Sequence, residues 1–244
     1  VVIDGEEGPE YDDVGVGSVI FSPDGRRVAY CAQKGKKYVV IVDGREGPEY
    51  DGTDFPIFSP DGSRVAYGAG KGSKDVVVVD GQEGPEYDGI GEGSPVFSPD
   101  GRRVAYMAGK GDKAIVVVDG QEGPEYDGIM EGTPIFSPDS RRVAYAPRRG
   151  NRRFVVVDDQ EGRKYDGIGE GSLTFSPDSR RVAYAAWKGE KMVVVVDGEE
   201  GPDYDGIMKG TLTFRKSGVL EYLAHRAGLL YRVRHVPKEE QPRG

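Results

Sequence analysis

Reactive side chains are scarce in this chain. A single cysteine, Cys31, rules out an internal disulfide framework. It follows a Val-Ala-Tyr run at a slot filled elsewhere by small or apolar residues, so a core role is expected of it rather than a nucleophilic one. Only two histidines occur, His225 and His235, both near the C-terminal end. A Ser–His–Asp or Cys–His centre needs a positioned imidazole as base, and none precedes residue 225. Zinc-type Cys/His spacing and an Asp-x-Asp-x-Asp-Gly calcium loop are also missing, so no metal or cofactor is expected. There is no run of 18 apolar residues, which argues against a membrane-spanning helix. The formal charge of −9 argues against a general nucleic-acid binder, because neutralising phosphates requires clustered Lys and Arg. No signal-peptide pattern is visible, and the chain opens at Val1 rather than Met, so the sequence leaves targeting open.

What the chain does have is repetition. Phe-Ser-Pro-Asp-Gly-Arg-Arg-Val-Ala-Tyr at 21–30 returns four more times nearly unchanged and once degraded. The lead residues Phe21, Phe58, Phe97, Phe136, Phe175 and Phe214 are spaced by 37 residues once and by 39 thereafter. Such regularity means one supersecondary unit copied along the chain. The 38 glycines and 16 prolines sit at fixed offsets in it, so they are turn chemistry rather than low complexity.

Each unit reads as four short strands. Strand A ends at the phenylalanine. Strand B is the Val-Ala-Tyr segment, reached through a tight Ser-Pro-Asp-Gly reversal. Strand C is a valine-rich run such as Ala114–Val118, continuously apolar and so covered on both faces. Strand D is Pro-Glu-Tyr-Asp, reached through an Asp-Gly-x-Glu-Gly turn; its proline and charges suit an outer edge. Four antiparallel strands in about 39 residues, repeated around an axis, make a β-propeller blade.

Six units tile the chain: 5–43, 44–80, 81–119, 120–158, 159–197 and 198–236. The reading is one all-β, six-bladed propeller over residues 1–236, followed by a polar tail at 237–244. The D strand at Pro9–Asp12 completes the last blade and closes the ring by pairing the two ends, which removes a free edge and predicts a monomer. Residues 1–4 are a seventh copy of strand C and are expected to be surplus, since Leu229–Val236 already fills that slot.

Phe-Ser-Pro-Asp-Gly, basic residues and an apolar-Ala-Tyr strand, at 21–30, 58–67, 97–106, 136–145 and 175–184, closely resemble the TolB-type (WD-repeat-like) propeller repeat. That repeat is also found in tricorn protease and prolyl-oligopeptidase-type propellers. The C–D region departs from the family pattern, with Val-Asp-Gly-x-Glu-Gly-Pro-x-Tyr-Asp in place of the usual Arg-Leu-Thr strand. The resemblance implies a six-bladed propeller that binds partners or gates substrate, and an extracytoplasmic location. No peptidase segment accompanies it, so catalysis is not implied.

The copies agree at the A–B and C–D connections and differ at the B–C and D–A connections, which are expected to share the opposite face. There the D–A loops carry Asp54, Glu92, Glu131 and Glu170 near the axis. The B–C loops carry a basic outer set, among them Lys71, Lys74, Lys110 and Lys113. Such a pattern focuses a field on a cationic group. Two features break the copying: the cluster Arg148, Arg149, Arg152 and Arg153, and Trp187, the only tryptophan. A tryptophan beside arginines is the composition of an interface hot spot or an anion site, whereas loops also carry charge simply for solubility. The expected function is a non-catalytic scaffold that binds a protein, a peptide or a small ligand at the channel mouth. Two other readings stand beside it: a hydrolase or lyase using paired carboxylates at that mouth, and a recently amplified or engineered propeller with no specific ligand.

Overall fold

The computed structural model describes residues 1–3 and 5–236, and every regular element among them is a β-strand. Asp4 and the polar tail 237–244 lie outside the described residues. The chain forms two compact units, residues 1–125 and residues 126 onward, divided inside the fourth Gly-Pro-Glu-Tyr-Asp copy.

The second sheet, in the first unit, shows how one copy folds. Strand B, Val65–Lys71, pairs antiparallel with strand C, Lys74–Val79, in an unbroken ladder from Ala66–Val79 to Lys71–Lys74. The C–D turn is shorter than the sequence suggests. Asp80 and Gly81 both sit in the left-handed region, at φ 53° and 79°. That is the two-residue type I′ hairpin favoured by Asp-Gly, whose twist matches the flanking strands. Strand D therefore starts at once and runs Gln82–Tyr87, bulging between the Val78–Glu83 and Val76–Glu86 pairs, where Gly84 and Pro85 fall. Strand A also departs from expectation by being split in two. Gly52–Thr53 pairs with the end of strand B, and Ile57–Phe58 pairs with its start.

In the first unit the first sheet (13–46) and the third (89–122) repeat this pattern, each with a short D strand. In the second unit the fifth sheet (167–204) is a full copy. The fourth sheet is broken into two ladders: Pro147, which has no N–H to donate, interrupts strand B between Val143–Tyr145 and Pro147–Arg149.

The A–B reversal is self-capped. Ser59 Oγ accepts the Arg64 N–H at 3.0 Å and donates to Asp61 at 2.5 Å, while the Gly62 N–H reaches the Ser59 carbonyl. The serine is fully buried, so these bonds satisfy a polar side chain that could not otherwise leave water.

The core lies in slabs between consecutive sheets. Between the first and second sheets, Cys31, Val40, Tyr50, Val65 and Tyr67 pack together, which confirms Cys31 as a core residue. Val77, Tyr87, Val104 and Tyr106 form the slab between the second and third. Two contacts recur at these junctions. The strand D tyrosine meets the next sheet's strand B tyrosine edge-on, as in Tyr50–Tyr67 (6.3 Å) and Tyr165–Tyr184 (6.2 Å). An arginine also reaches across. Arg64 binds its own Asp80 at 2.8 Å, donates to the Arg102 carbonyl at 2.7 Å, and lies over the Phe97 ring. Arg27, Arg142 and Arg181 lie over Phe58, Phe175 and Phe214 in the same way.

The two ends of the chain differ from this pattern. Val2–Ile3 lies outside the last sheet, as expected of a surplus strand C copy, and pairs with Glu6–Glu7 as a small C–D hairpin. The hairpin is a two-stranded sheet of its own. In the last sheet Leu229–His235 does occupy the strand C slot, paired with Leu220–Arg226. Among the described residues no D strand joins that sheet, and Leu229 and Leu230 are 61% and 66% exposed. The last sheet also replaces the repeated alanine of strand B with Glu221, whose buried carboxylate is bound by Arg215, Arg232 and Arg234. The hydrogen bonds from Arg215 and then Arg232 hold its pKa down at about 2.

Replacing Arg64 with Ala removes two carbonyl contacts, an ion pair and a ring contact at once. The expected loss is about 1–3 kcal/mol of stability, read from the urea midpoint of the full chain. A midpoint that does not move would contradict the role given to this arginine. For Glu221 the folded pKa lies below the unfolded value, so its stabilisation is complete above about 4.5 and fades as pH falls toward about 2. The Glu221→Gln variant should therefore unfold with a weaker acid dependence between those limits than the parent, measured by thermal scans across that range.

Candidate functional site

The split of strand A decides where the variable carboxylates sit. In the third sheet the insert between its halves, 91–95, is anchored to the middle of strand B. Gly91 N–H donates to the Met107 carbonyl at 2.9 Å, Ser94 Oγ accepts the Met107 N–H at 3.0 Å, and Ser94 N–H returns to Gly91 at 3.1 Å. Glu92 is exposed at the tip. The fourth and fifth sheets build the same insert on Met130–Thr133 and Gly169–Ser172, with Glu131 and Glu170 at the tips. Val16 holds that position in the first sheet and Lys209 in the sixth. These tips lie beside mid-strand B, three residues or about 10 Å short of the B–C turn, rather than level with it. The D–A crossing itself does lie at the B–C end, where Asp88 meets Gly111; what departs from expectation is that the variable carboxylates sit in an insert anchored further along strand A.

Of the four predicted carboxylates, three are equivalent and one is not. The second sheet's insert is two residues shorter, so Asp54 matches Gly91, not Glu92: its N–H is the one that reaches Gly68, the counterpart of Met107. Glu170 is ion-paired with Lys209 at 3.1 Å, whereas Glu92 and Glu131 have no side-chain partner among the described residues.

Most basic residues of the B–C turns are consumed locally, Lys36 being an exposed exception. Lys71 pairs with Glu83 at 2.7 Å, and Lys74 pairs with Asp88 at 2.5 Å. Asp88 also accepts the Gly111 N–H, so it ties one sheet's turn to the next sheet's turn. Its pKa is lowered first by Lys74 and then by that amide. Lys34–Glu46, Lys37–Asp51, Lys110–Glu122, Lys188–Glu200 and Lys191–Asp205 repeat the arrangement.

The arginine cluster belongs to the same lattice. Arg149 forms a two-bond fork with Glu161 at 2.8 and 3.0 Å and lies over the Tyr126 and Phe154 rings. Arg152 pairs with Asp166, while Arg148 donates to the carbonyls of Asp127 and Gly150. Arg153 pairs through its backbone with Tyr165. Trp187 lies in strand B, not in a loop, and its ring packs over Gly167 across the ladder. It is 38% exposed. Arg152 and Trp187 are linked through Asp166, whose N–H donates to the Trp187 carbonyl. The histidines are engaged as well: His235 contacts Arg181 at 3.2 Å, and His225 covers Gly206.

Three residues of interest carried no weight in the sequence reading: Thr53, Gly68 and Asp75. Together with Asp54 they line a cavity of about 310 Å³ in the first unit, bounded also by Gly52, Ala69, Gly70 and Ile90. The Asp54 carboxylate lies over Gly68, and loss of solvation, then the charge of Asp75, raises its pKa. The signal for this site was the odd spacing of 37 residues between Phe21 and Phe58. Among the described residues no group of three His, Cys, Asp or Glu is placed to hold a metal ion.

No known protein-family signature matches the chain, and no curated protein is similar to it. In structure it is similar to β-propeller proteins, TolB among them. The β-propeller domain of the trilobed protease from Pyrococcus furiosus matches at 15% identity and TM-score 0.44, covering 88% of this chain and 79% of that one. TolB from Acinetobacter baumannii matches at 16% identity and TM-score 0.37, covering 86% and 63%. A eukaryotic initiation factor matches at 15% identity and TM-score 0.51, covering 77% of this chain and 54% of that one. The chain thus spans about half of the initiation-factor structure and under two thirds of TolB. These likenesses concern fold.

The Lys74–Asp88 pair is exposed on both sides, so a double-mutant cycle with Lys74→Ala and Asp88→Ala should give a coupling of no more than about 1 kcal/mol. That coupling should shrink at 1 M salt. A larger, salt-insensitive value would show that this lattice carries more of the stability than its exposure allows.

Proposed function

We propose that the chain is a non-catalytic binding scaffold: a six-bladed propeller, closed by residues 9–12 completing the last sheet, that presents its strand A inserts to a cationic partner. The observation that carries this reading is the imbalance of free charge. Most of the turn lysines and of the arginine cluster are tied up in local ion pairs and carbonyl contacts, whereas Glu92 and Glu131 stand exposed and unpaired on anchored inserts. Unpaired carboxylates on a stiff support attract a cation without first breaking an internal bond. The arginine cluster and Trp187 are then structural, in place of the hot spot expected from composition. The TolB resemblance adds an extracytoplasmic setting to the proposal.

A tetralysine peptide titrated into the full chain at low salt tests it. Binding should weaken at least fivefold in the Glu92→Gln/Glu131→Gln double variant and stay unchanged in Arg152→Ala. Equal binding by parent and double variant overturns the assignment. Substrate turnover that collapses on either Gln substitution would replace binding with catalysis.

A further inference from the structure

One ion pair recurs in five sheets and is split in the sixth. The cation that ends strand B binds the glutamate before the strand D glycine of its own sheet: Lys34–Glu46, Lys71–Glu83, Lys110–Glu122, Arg149–Glu161 and Lys188–Glu200. The sixth such cation is Arg226, in a sheet that no D strand joins among the described residues. The matching glutamate is Glu7, before Gly8, in the hairpin with Val2–Ile3. Neither Arg226 nor Glu7 has an ion-pair partner among the described residues. The rings show a parallel mismatch. Phe58, Phe97, Phe175 and Phe214 each lie under an arginine of the preceding sheet, whereas Phe21 is 61% exposed. In the last sheet Leu220, Tyr222, Ala224 and Val233 pack toward the fifth sheet, so alternation turns Glu221, Arg232 and Arg234 to the opposite face.

Charge and backbone divide the same way. Residues 213–236 carry Arg215, Lys216, Arg226, Arg232 and Arg234 against one acid, Glu221; residues 5–13 carry Glu6, Glu7, Glu10, Asp12 and Asp13 and no base. Leu229–His235 pairs with strand B on one side only, which leaves a row of N–H and C=O groups beside the exposed Leu229, Leu230 and Tyr231. Such an edge is a template for another strand, and its arginines repel a like edge while favouring an acidic one. Residues 8–12, Gly-Pro-Glu-Tyr-Asp, are identical to 47–51, 84–88 and 123–127. Toward the first sheet they already act as a strand D. Tyr11 meets Tyr30 edge-on at 6.3 Å and donates to Glu46 at 3.0 Å, and Asp12 accepts the Gly35 N–H as Asp51 accepts that of Gly72. This segment lacks a full strand C beside it, and the last sheet lacks a strand D.

Resting on the reading that residues 9–12 complete the last sheet, we infer that a second copy of the chain supplies them. Residues 6–12 of one copy pair with Leu229–His235 of the other, and Glu7 binds Arg226. In the single chain no ladder joins these segments, since Glu6–Glu7 pairs with Val2–Ile3 alone. The exchange gives up that two-residue ladder and gains one as long as those of the second and fifth sheets. Reciprocal exchange leaves neither copy with an open edge, so the product is a dimer in place of the expected monomer. The register of the second and fifth sheets, Val76–Glu86 and Val193–Asp203, sets Glu10 opposite Tyr231. Residues 237–244 follow the open strand directly but contain no tyrosine for this junction.

Cysteine cross-linking of the full chain tests this, with Glu10→Cys in one variant and Tyr231→Cys in another; Cys31 is buried and stays out of the reaction. Mild oxidation of their equimolar mixture should yield the mixed disulfide in excess over either variant joined to itself. Sedimentation equilibrium of the parent should show a concentration-dependent dimer. Glu7→Arg and Arg226→Glu should each weaken it at least fivefold, and the double variant Glu7→Arg/Arg226→Glu should restore it, which misfolding could not do. A cross-link that forms only inside a chain carrying both cysteines overturns the second copy and leaves closure by residues 9–12 standing. No cross-link in either arrangement overturns both. A parent that stays monomeric at every concentration, or a double variant that fails to recover, also overturns the inference. The tetralysine experiment reads Glu92 and Glu131, so its result is independent of this one.

Discussion

The contact on which the rest depends is the junction between consecutive sheets within each unit. A single four-stranded sheet of this size has two faces and too few residues to bury either by itself. Stacking supplies the missing cover, and two polar-tipped side chains set how the sheets meet. The strand D tyrosine places its ring edge against the next strand B tyrosine, and in several copies sends its hydroxyl to the following strand D glutamate, as Tyr50 does to Glu83 at 3.0 Å. The arginine after the A–B turn anchors to its own sheet through the C–D aspartate and spends its remaining donors on the neighbour's carbonyls. Both groups are partly apolar and partly polar, so each covers core and satisfies a hydrogen bond in one step.

That junction explains why charge is plentiful and yet little of it is free. The repeated Asp-Gly-x-Glu-Gly-Pro-x-Tyr-Asp run looks like a long acidic loop, but three of its acids have assigned partners and only the one between Pro and Tyr is left to solvent. The first Asp caps strand B and binds the arginine, the Glu binds the lysine ending strand B, and the last Asp binds the lysine opening strand C. A surface assembled from such local pairs is soluble but weakly interacting, because exposed pairs yield little when rearranged. Binding is therefore sought where the bookkeeping fails to balance, at the inserts of the third and fourth sheets.

Much of the fold was legible because the repeat averages out local ambiguity. The Ser-Pro-Asp-Gly reversal, the valine run as a covered strand and the pairing of B with C all follow from residue chemistry alone. Less legible were strand breaks that depend on pairing. Nothing in Gly-Ile-Gly-Glu-Gly-Ser-Pro announces that its first two residues already pair with the end of strand B, and that misplaced the carboxylates along the strand. The arginine cluster misled for a similar reason: composition shows four basic groups close in sequence, while the acids Glu161 and Asp166 come from the strand D segment, several residues further on.

The sequence by itself determined the unit, its four strands and its turns, since these rest on local steric and hydrogen-bonding preferences that repeat with the residues. It also carried, in one interval of 37 residues among intervals of 39, the mark of the copy that differs. Only the tertiary structure decided what that difference does. Whether Asp54 matches Glu92 or Gly91 is fixed by which strand B carbonyl its amide reaches. Distance across a ladder is not encoded in any window of sequence, so the charge that matters came into view only once the strands were paired.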